Sequence, residues 1–330
     1  MFDHIVNVLN QYPIHVENID EVTSNVYKIY DSKYTYALKK SSLTKESVQQ
    51  WLSVMQTAND FQIKNILPVY RTKKGSLYCH FNNRLYYMSP WIESTSVAIK
   101  ELFQCIGNIH HKTKITVQTS MDTFEQPFNQ YKTYCQTVRE KLIHYIEVFE
   151  QQHYMSPVEL QICTHFKDID RCLYLVVDLI EKFLNEMQER LEWSISLCHG
   201  NLTHSHFLAS DMTYLINWEK SYYNHPAYDL VHYVNQLKEK PSNETLEKSF
   251  QAYFLENKWE EKDLYFFGIH LFQFNRYFSL VEDYSIQTSK DSTIRQVQQL
   301  EIEYRNLLFG LNTYQLMENG LREMSRDHAE

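Results

Sequence analysis

Glycine is scarce: six occur in 330 residues and the first is Gly75. Nothing ahead of that position can therefore be a glycine-rich loop whose bare backbone closes around a phosphate. Cysteine is thinly spread as well. Cys79, Cys105, Cys135, Cys163, Cys172 and Cys198 form no C-x-x-C pair, which excludes a disulfide scaffold and leaves reduced thiols and cytoplasmic synthesis as the expectation. No 18 apolar residues run together, and "MFDHIVNVLNQYPIHVENID" has no cationic start leading into an apolar stretch, so neither export nor membrane insertion is expected. With 32 basic against 41 acidic residues the net charge is -9, and no long Lys/Arg block occurs. That argues against a nucleic-acid or anionic-lipid surface and leaves proteins or small molecules as partners.

What is present points to a folded chain of one large or two modest domains. Hydrophobic residues make up 43% of the sequence, enough for a sizeable core, and 25 tyrosines supply amphipathic rings suited to protein contact as well as to core packing. From about residue 15 to 93 the signals are strand-like. "SNVYKIYD", "YTYALKK", "SLYCHF" and "RLYYMSPWIE" are short, rich in Tyr, Val, Ile and Leu, and separated by turn-prone "DSK", "KKGS" and "NNR". Among them "TKESVQQWLSVMQTAND" sets Val48, Leu52 and Met55 on one helical stripe.

Beyond "SPWIE" helical periodicity takes over. Tyr131, Cys135, Val138, Leu142, Tyr145 and Phe149 share a face within 128–150, and Cys172, Val176, Leu179, Phe183, Met187 and Leu191 do so within 171–191. Further helices are expected near 227–238, 243–256, 260–284 and 293–318. The expected class is α+β: a small antiparallel-sheet lobe over 1–93 and a mostly helical lobe over 94–330, with a cleft as the natural ligand site.

Two stretches have the shape of a phosphoryl-transfer site: "LCHGNLTHSHFL" at 197–208 and "YLINWEKSYYNHPAYDL" at 214–230. They resemble the catalytic segment of the aminoglycoside phosphotransferase and choline kinase superfamily, which reads H-G-D-x-x-x-x-N, then I-D-(F/W)-(E/G), then D-P-A-Y-D-L. With "YALKK", "WIES" and "IGNIHHKT" in this order, the chain is similar over roughly 20–280 to the spore coat CotS and YsxE group of Bacillus-type bacteria. The resemblance implies a protein-kinase-like bilobal fold. It also implies a strand lysine for nucleotide phosphates at Lys39, a catalytic aspartate at position 201, and magnesium ligands at 206 and 217.

At those three positions the chain carries Asn201, His206 and Asn217. An amide cannot accept the proton of an attacking alcohol, a loss of about 10²- to 10⁴-fold. Imidazole is a poor ligand for magnesium, and an amide replaces the anionic oxygens the metals would share. His199, Pro226, Tyr228 and Asp229 keep the family's types, and the resemblance gives Asp229 the role of bracing the catalytic loop. If "TYLINWE" runs extended, Glu219 faces the same side as Asn217 and offers a carboxylate, with Asp211 on the preceding turn. Active members carry a residue like Glu219 too, so compensation is not expected.

The expectation is a catalytically silent kinase-like protein with no cofactor, acting through other proteins and, on the resemblance alone, within a spore coat. An active phosphotransferase using ATP and magnesium at an atypical site is the alternative. A nucleotide-binding regulator, holding its ligand through Lys39 and "YYMSPWIE", is a third. The histidines His199, His204, His206, His225, His110 and His111 invite a zinc reading, but the only nearby cysteine, Cys198, points away from His199 in an extended segment, so ordinary loop and core histidines are expected and no metal.

Overall fold

The computed structural model describes residues 3–237 and 239–327. In chain order the elements are α1 (Asp3–Leu9), β1 (Val16–Thr23), β2 (Val26–Asp31), β3 (Thr35–Ser41), α2 (Ser47–Asp60), β4 (Cys79–Phe81), β5 (Arg84–Pro90), α3 (Ile99–Lys112), β6 (Ile115–Gln118), α4 (Asp122–Glu150), α5 (Pro157–Glu189), β7 (Glu192–Cys198), β8 (Phe207–Ala209), β9 (Thr213–Leu215), β10 (Tyr222–Asn224), α6 (Ala227–Gln236), α7 (Asn243–Glu256), α8 (Glu261–Leu271), α9 (Phe274–Ser285) and α10 (Thr293–Asp327). Single 3-10 turns sit at His204–His206 and Trp218–Lys220. The architecture is α+β, an antiparallel sheet followed by a mostly helical remainder.

The chain divides into two compact units. One holds the residues up to Lys114 with Ser196–Asp229 and Leu255–Asn257; the other holds Ile115–Ile195, Leu230–Phe254 and Lys258 onward. In the first unit the strands are ordered β1-β2-β3-β5-β4 and all pair antiparallel. Alternation along β2 and β3 sends Tyr27, Ile29, Tyr36 and Leu38 into a core closed by Ile5, Val8, Leu9 and Tyr12 of the N-terminal segment. The same alternation puts Ala37 and Lys39 on the other face, where the candidate site lies. The β4–β5 hairpin turns through Asn82 and Asn83, both at positive φ (48° and 59°), a two-residue turn whose twist matches the strands and whose left-handed backbone asparagine tolerates.

In the second unit α4, α5 and α8 gather an aromatic core. Phe128 lies 4.9 Å from Phe183, and Trp193 lies 4.9 Å from Phe266, ring centre to ring centre. The second long helix starts at Pro157, well before the expected 171, behind a capping box in which Ser156 and Glu159 satisfy each other's backbone N–H groups. The single helix expected over 260–284 is two, broken at Phe272 and Gln273. Neither proline nor glycine explains the break. The carbonyls it frees are met by neighbours instead, Asn235 donating to Leu271 O and Tyr131 to Phe272 O.

Candidate functional site

Everything the sequence singled out at 199–229, together with Lys39 and His110, lies in the first unit. Lys39 leaves β3 on the face away from the α1 core, and its ammonium donates to Asn217 Oδ1 at 2.6 Å. The same Nζ stands 3.1 Å from Glu219 Oε2 and 5.7 Å from the centre of the Tyr87 ring. Glu219 Oε1 accepts from Ser41 Oγ at 2.8 Å and from Tyr87 OH at 3.2 Å. Burial lowers the pKa of Lys39, and Glu219 works against that shift. The phenol of Tyr87 is pushed well up by burial first and by Glu219 second.

The strand expected over "TYLINW" stops at Leu215, and Asn217 sits in the left-handed region at φ 70°, a conformation open to asparagine and costly for most other side chains. Glu219 therefore does not reach Lys39 along an extended strand. The turn Trp218–Lys220 swings it there, while Trp218 buries its ring and donates to Leu215 O at 2.8 Å.

The "HGN" loop is anchored from below. The Asp229 carboxylate accepts from His199 N at 2.6 Å and Gly200 N at 2.9 Å, and His110 Nε2 lies 3.3 Å from Oδ2. Burial, the largest influence, pushes the Asp229 pKa up, but the hydrogen bond and charge of His110 and the contacts with His199 outweigh it and hold the group below its usual value. Gly200 has φ +75°, and a Cβ there would stand 2.2 Å from Lys220 O, so the loop's close approach to the turn requires glycine.

His199 Nδ1 accepts from Asn201 N at 3.3 Å and its Nε2 lies 2.8 Å from Ile216 O, so the second nitrogen carries the hydrogen. His206 sits beside it, the ring centres 5.2 Å apart, with Nδ1 3.0 Å from Asn201 O. Burial chiefly, then His199, bring the His206 pKa down to about 4, so the ring is neutral at pH 7.

Magnesium does not fit this arrangement. The oxygen that position 217 offers is a neutral amide oxygen already facing an ammonium at 2.6 Å, and a second cation beside it would be repelled. His206 offers nitrogen to an ion that prefers oxygen. The zinc reading of the histidine loop fares no better, since both ring nitrogens of His199 are taken by backbone.

One grouping that sequence reasoning missed does appear. His110, Cys198 and Asp229, all buried, bring ligand atoms within 4.8 Å of one another. Cys198 thus has its sulfur beside His110 and Asp229. Its thiol donates to the carbonyls of Asn224 and His225, and burial, with Asp229 next, raises its pKa well up. The trio is thus a hydrogen-bonded brace under the loop, not a preformed thiolate site. Sequence spacing could not have shown it, because His110 and Cys198 stand 88 positions apart.

A cavity of about 530 Å³ opens beside Lys39. Val26 and Ala37 of the sheet line it, as do Trp91 and Ile92 after β5, and Leu208 and Ile216 near the β8–β9 hairpin. Val22 and Thr23 at the β1–β2 turn also reach it. That turn has no glycine; Asn25 N donates to the Thr23 side-chain oxygen, and Asn25 O accepts from Lys40 N of β3 at 2.8 Å.

Residues 150–265 match a family described as phosphotransferase enzyme family, a span that includes the "HGN" loop, Asn217 and Asp229 but not Lys39. Among solved structures the chain is similar to an aminoglycoside phosphotransferase from Alicyclobacillus acidocaldarius, with a TM-score of 0.62 at 14% identity, covering 95% of this chain and 96% of that one. It is similar also to an amicoumacin kinase solved in complex with AMP-PNP, Ca2+ and Ami (TM-score 0.52, 12% identity, 92% of this chain and 91% of that one). A spectinomycin phosphotransferase in its AMP-bound complex gives a TM-score of 0.50 at 14% identity, over 93% of this chain and 97% of that one. Comparison with curated protein sequences gives no match. The class these likenesses define is a protein-kinase-like fold of the aminoglycoside phosphotransferase type. It is the α+β, kinase-like fold that the motifs lead one to expect.

Proposed function

We propose that the protein is a kinase-fold pseudoenzyme that acts through contact with other proteins. One observation carries the reading: Asn217, at a position where the resemblance places a magnesium ligand, gives its neutral Oδ1 to the Lys39 ammonium at 2.6 Å, and among the described residues no aspartate lines the cavity. Phosphoryl transfer depends almost wholly on charge placement, with metal ions offsetting the phosphates and a carboxylate at the attacking hydroxyl. Here neutral groups occupy all three positions. The bracing of the loop by Asp229 needs no chemistry and is intact.

A spore coat as the place of action rests on the motif resemblance alone. Fractionation of spores, with the protein sought in the coat layer, tests it. A second reading, an ATP-dependent small-molecule phosphotransferase with an atypical site, is favoured by the cavity beside Lys39 and by the activities named for the similar structures.

The decisive experiment follows labelled phosphate from ATP with magnesium to a panel of aminoglycosides and amino alcohols. No transfer is expected, either from the wild type or from Asn201→Asp with Asn217→Asp, since the pocket has changed along with its charges. Transfer by the wild type that is lost on substitution at position 201 or 217 overturns the pseudoenzyme.

A further inference from the structure

A second cavity, of about 660 Å³, lies within the first unit. Its walls are the last turns of α2, the segment 62–71, and the β8–β9 hairpin with Asp211 and Met212 at its tip. It shares Met55, Leu67 and Val69 with the cavity beside Lys39, but the two have no charged residue in common. None of the positions that the phosphotransferase resemblance marks, 39, 201, 206 and 217, lines it.

The walls are fastened to each other. Leu215 N donates to Asn65 O at 2.8 Å and Asn65 Nδ2 to Thr213 O at 2.8 Å, which ties the hairpin to the segment after α2. The end of α2 is closed by its own backbone, Phe61 N donating to Thr57 O, Gln62 N to Asn59 O and Ile63 N to Ala58 O. With those carbonyls satisfied, side chains set the polarity of the cavity.

Ile63, Ile66 and Leu67 are buried beneath it, and Met55, Val69 and Met212 extend the apolar surface. Beside this stand Lys64, Arg71 and Asp211, two cations to one anion in a chain whose net charge is -9. Asp211 is engaged, accepting from Tyr214 OH at 2.9 Å. Arg71 donates from one nitrogen to Gly75 O at 2.8 Å, which fixes the guanidinium and leaves its other donors. Among the described residues nothing holds the Lys64 ammonium or the side-chain amides of Asn59 and Gln62. A cationic guest would meet two like charges, and a polyanion would carry more charge than Lys64 and Arg71 offset while gaining little from the apolar floor. One carboxylate on an apolar body satisfies both halves of the lining.

We propose that this cavity binds a small aryl or alkyl monocarboxylate, its apolar body on Ile63, Ile66 and Met212 and its carboxylate toward Lys64 and Arg71. The site stands apart from the pseudoenzyme reading, since it uses none of the phosphotransferase positions.

The test labels the methionine methyl groups of the full chain for NMR and follows Met212, identified by the loss of its signal in Met212→Leu. Naphthylacetate, naphthylethanol and naphthylethylammonium are added in turn. Met212 lines this cavity and not the one beside Lys39, so its shift reports where the ligand sits. Naphthylacetate is expected to shift it with a Kd below about 1 mM, and naphthylethanol to bind at least about tenfold more weakly. Lys64→Gln with Arg71→Gln, if it melts like the wild type, should erase that preference. Ala58→Trp, which fills the cavity, should abolish the shift. An unmoved Met212 signal overturns the proposal, as does binding of the alcohol or the ammonium as tight as that of the acid. A preference that survives in the double variant overturns it too. Where the variants fail to fold, the comparison of head groups on the wild type decides alone.

Discussion

Gly200 and His206 show how far single residues are constrained by the loop they share. At Gly200 a methyl group would meet Lys220 O at 2.2 Å on a backbone at φ +75°. Both penalties act on the folded state, so Gly200→Ala should cost about 2–4 kcal/mol and lower the melting temperature by several degrees in a thermal scan. His206 gives a pH signature. Its folded pKa of about 4 lies below the ordinary value of 6.5, so the unfolded chain binds more protons between those values and stability rises with pH across the window. The contribution is whole above about pH 6.5 and is lost as pH falls toward 4. It amounts to about 2 kcal/mol once the water reaching this half-buried ring is allowed for. His206→Asn should flatten that part of the stability profile, measured by denaturant unfolding from pH 7 to pH 4.5. A slope identical to the wild type's would show that the ring's burial does not govern it.

Elements were read from sequence as well as their burial was periodic. β2 and β3 alternate buried and half-exposed positions, β5 is buried throughout Leu85–Met88, and the expected strand segments fall on all three. β1 carries no strand signal in the sequence, because it is an edge strand with an exposed, acidic surface, Glu17, Asp20 and Glu21 among its residues. Only its pairing with β2 makes it extended. The start of α5 was legible in principle from "SPVE", a capping serine, proline at the first helical position and glutamate at the third. Ser156→Ala should remove one cap bond and cost about 1 kcal/mol, seen as a matching shift in the urea midpoint. A loss of less than a few tenths would mean that Pro157 and Glu159 start the helix unaided.

On the scale of the molecule, a kinase-like fold holds a loop braced by Asp229 and a cavity beside Lys39, with neutral side chains at 201, 206 and 217. Melting scans with nucleotide separate the readings. An enzyme is stabilised by ATP only with magnesium, a regulator by ATP alone, and the pseudoenzyme proposed here by neither. Residue types by themselves determined the absence of a glycine cradle, the amides and imidazole at 201, 206 and 217, and the α+β class, because these depend on local chemistry and periodicity. Tertiary structure decided what no spacing could: that Glu219 arrives at Lys39 through a turn anchored by a left-handed Asn217, and that His110 and Cys198 meet at Asp229. Such contacts join residues far apart in the chain, and only packing and the pairing of buried charges bring them together.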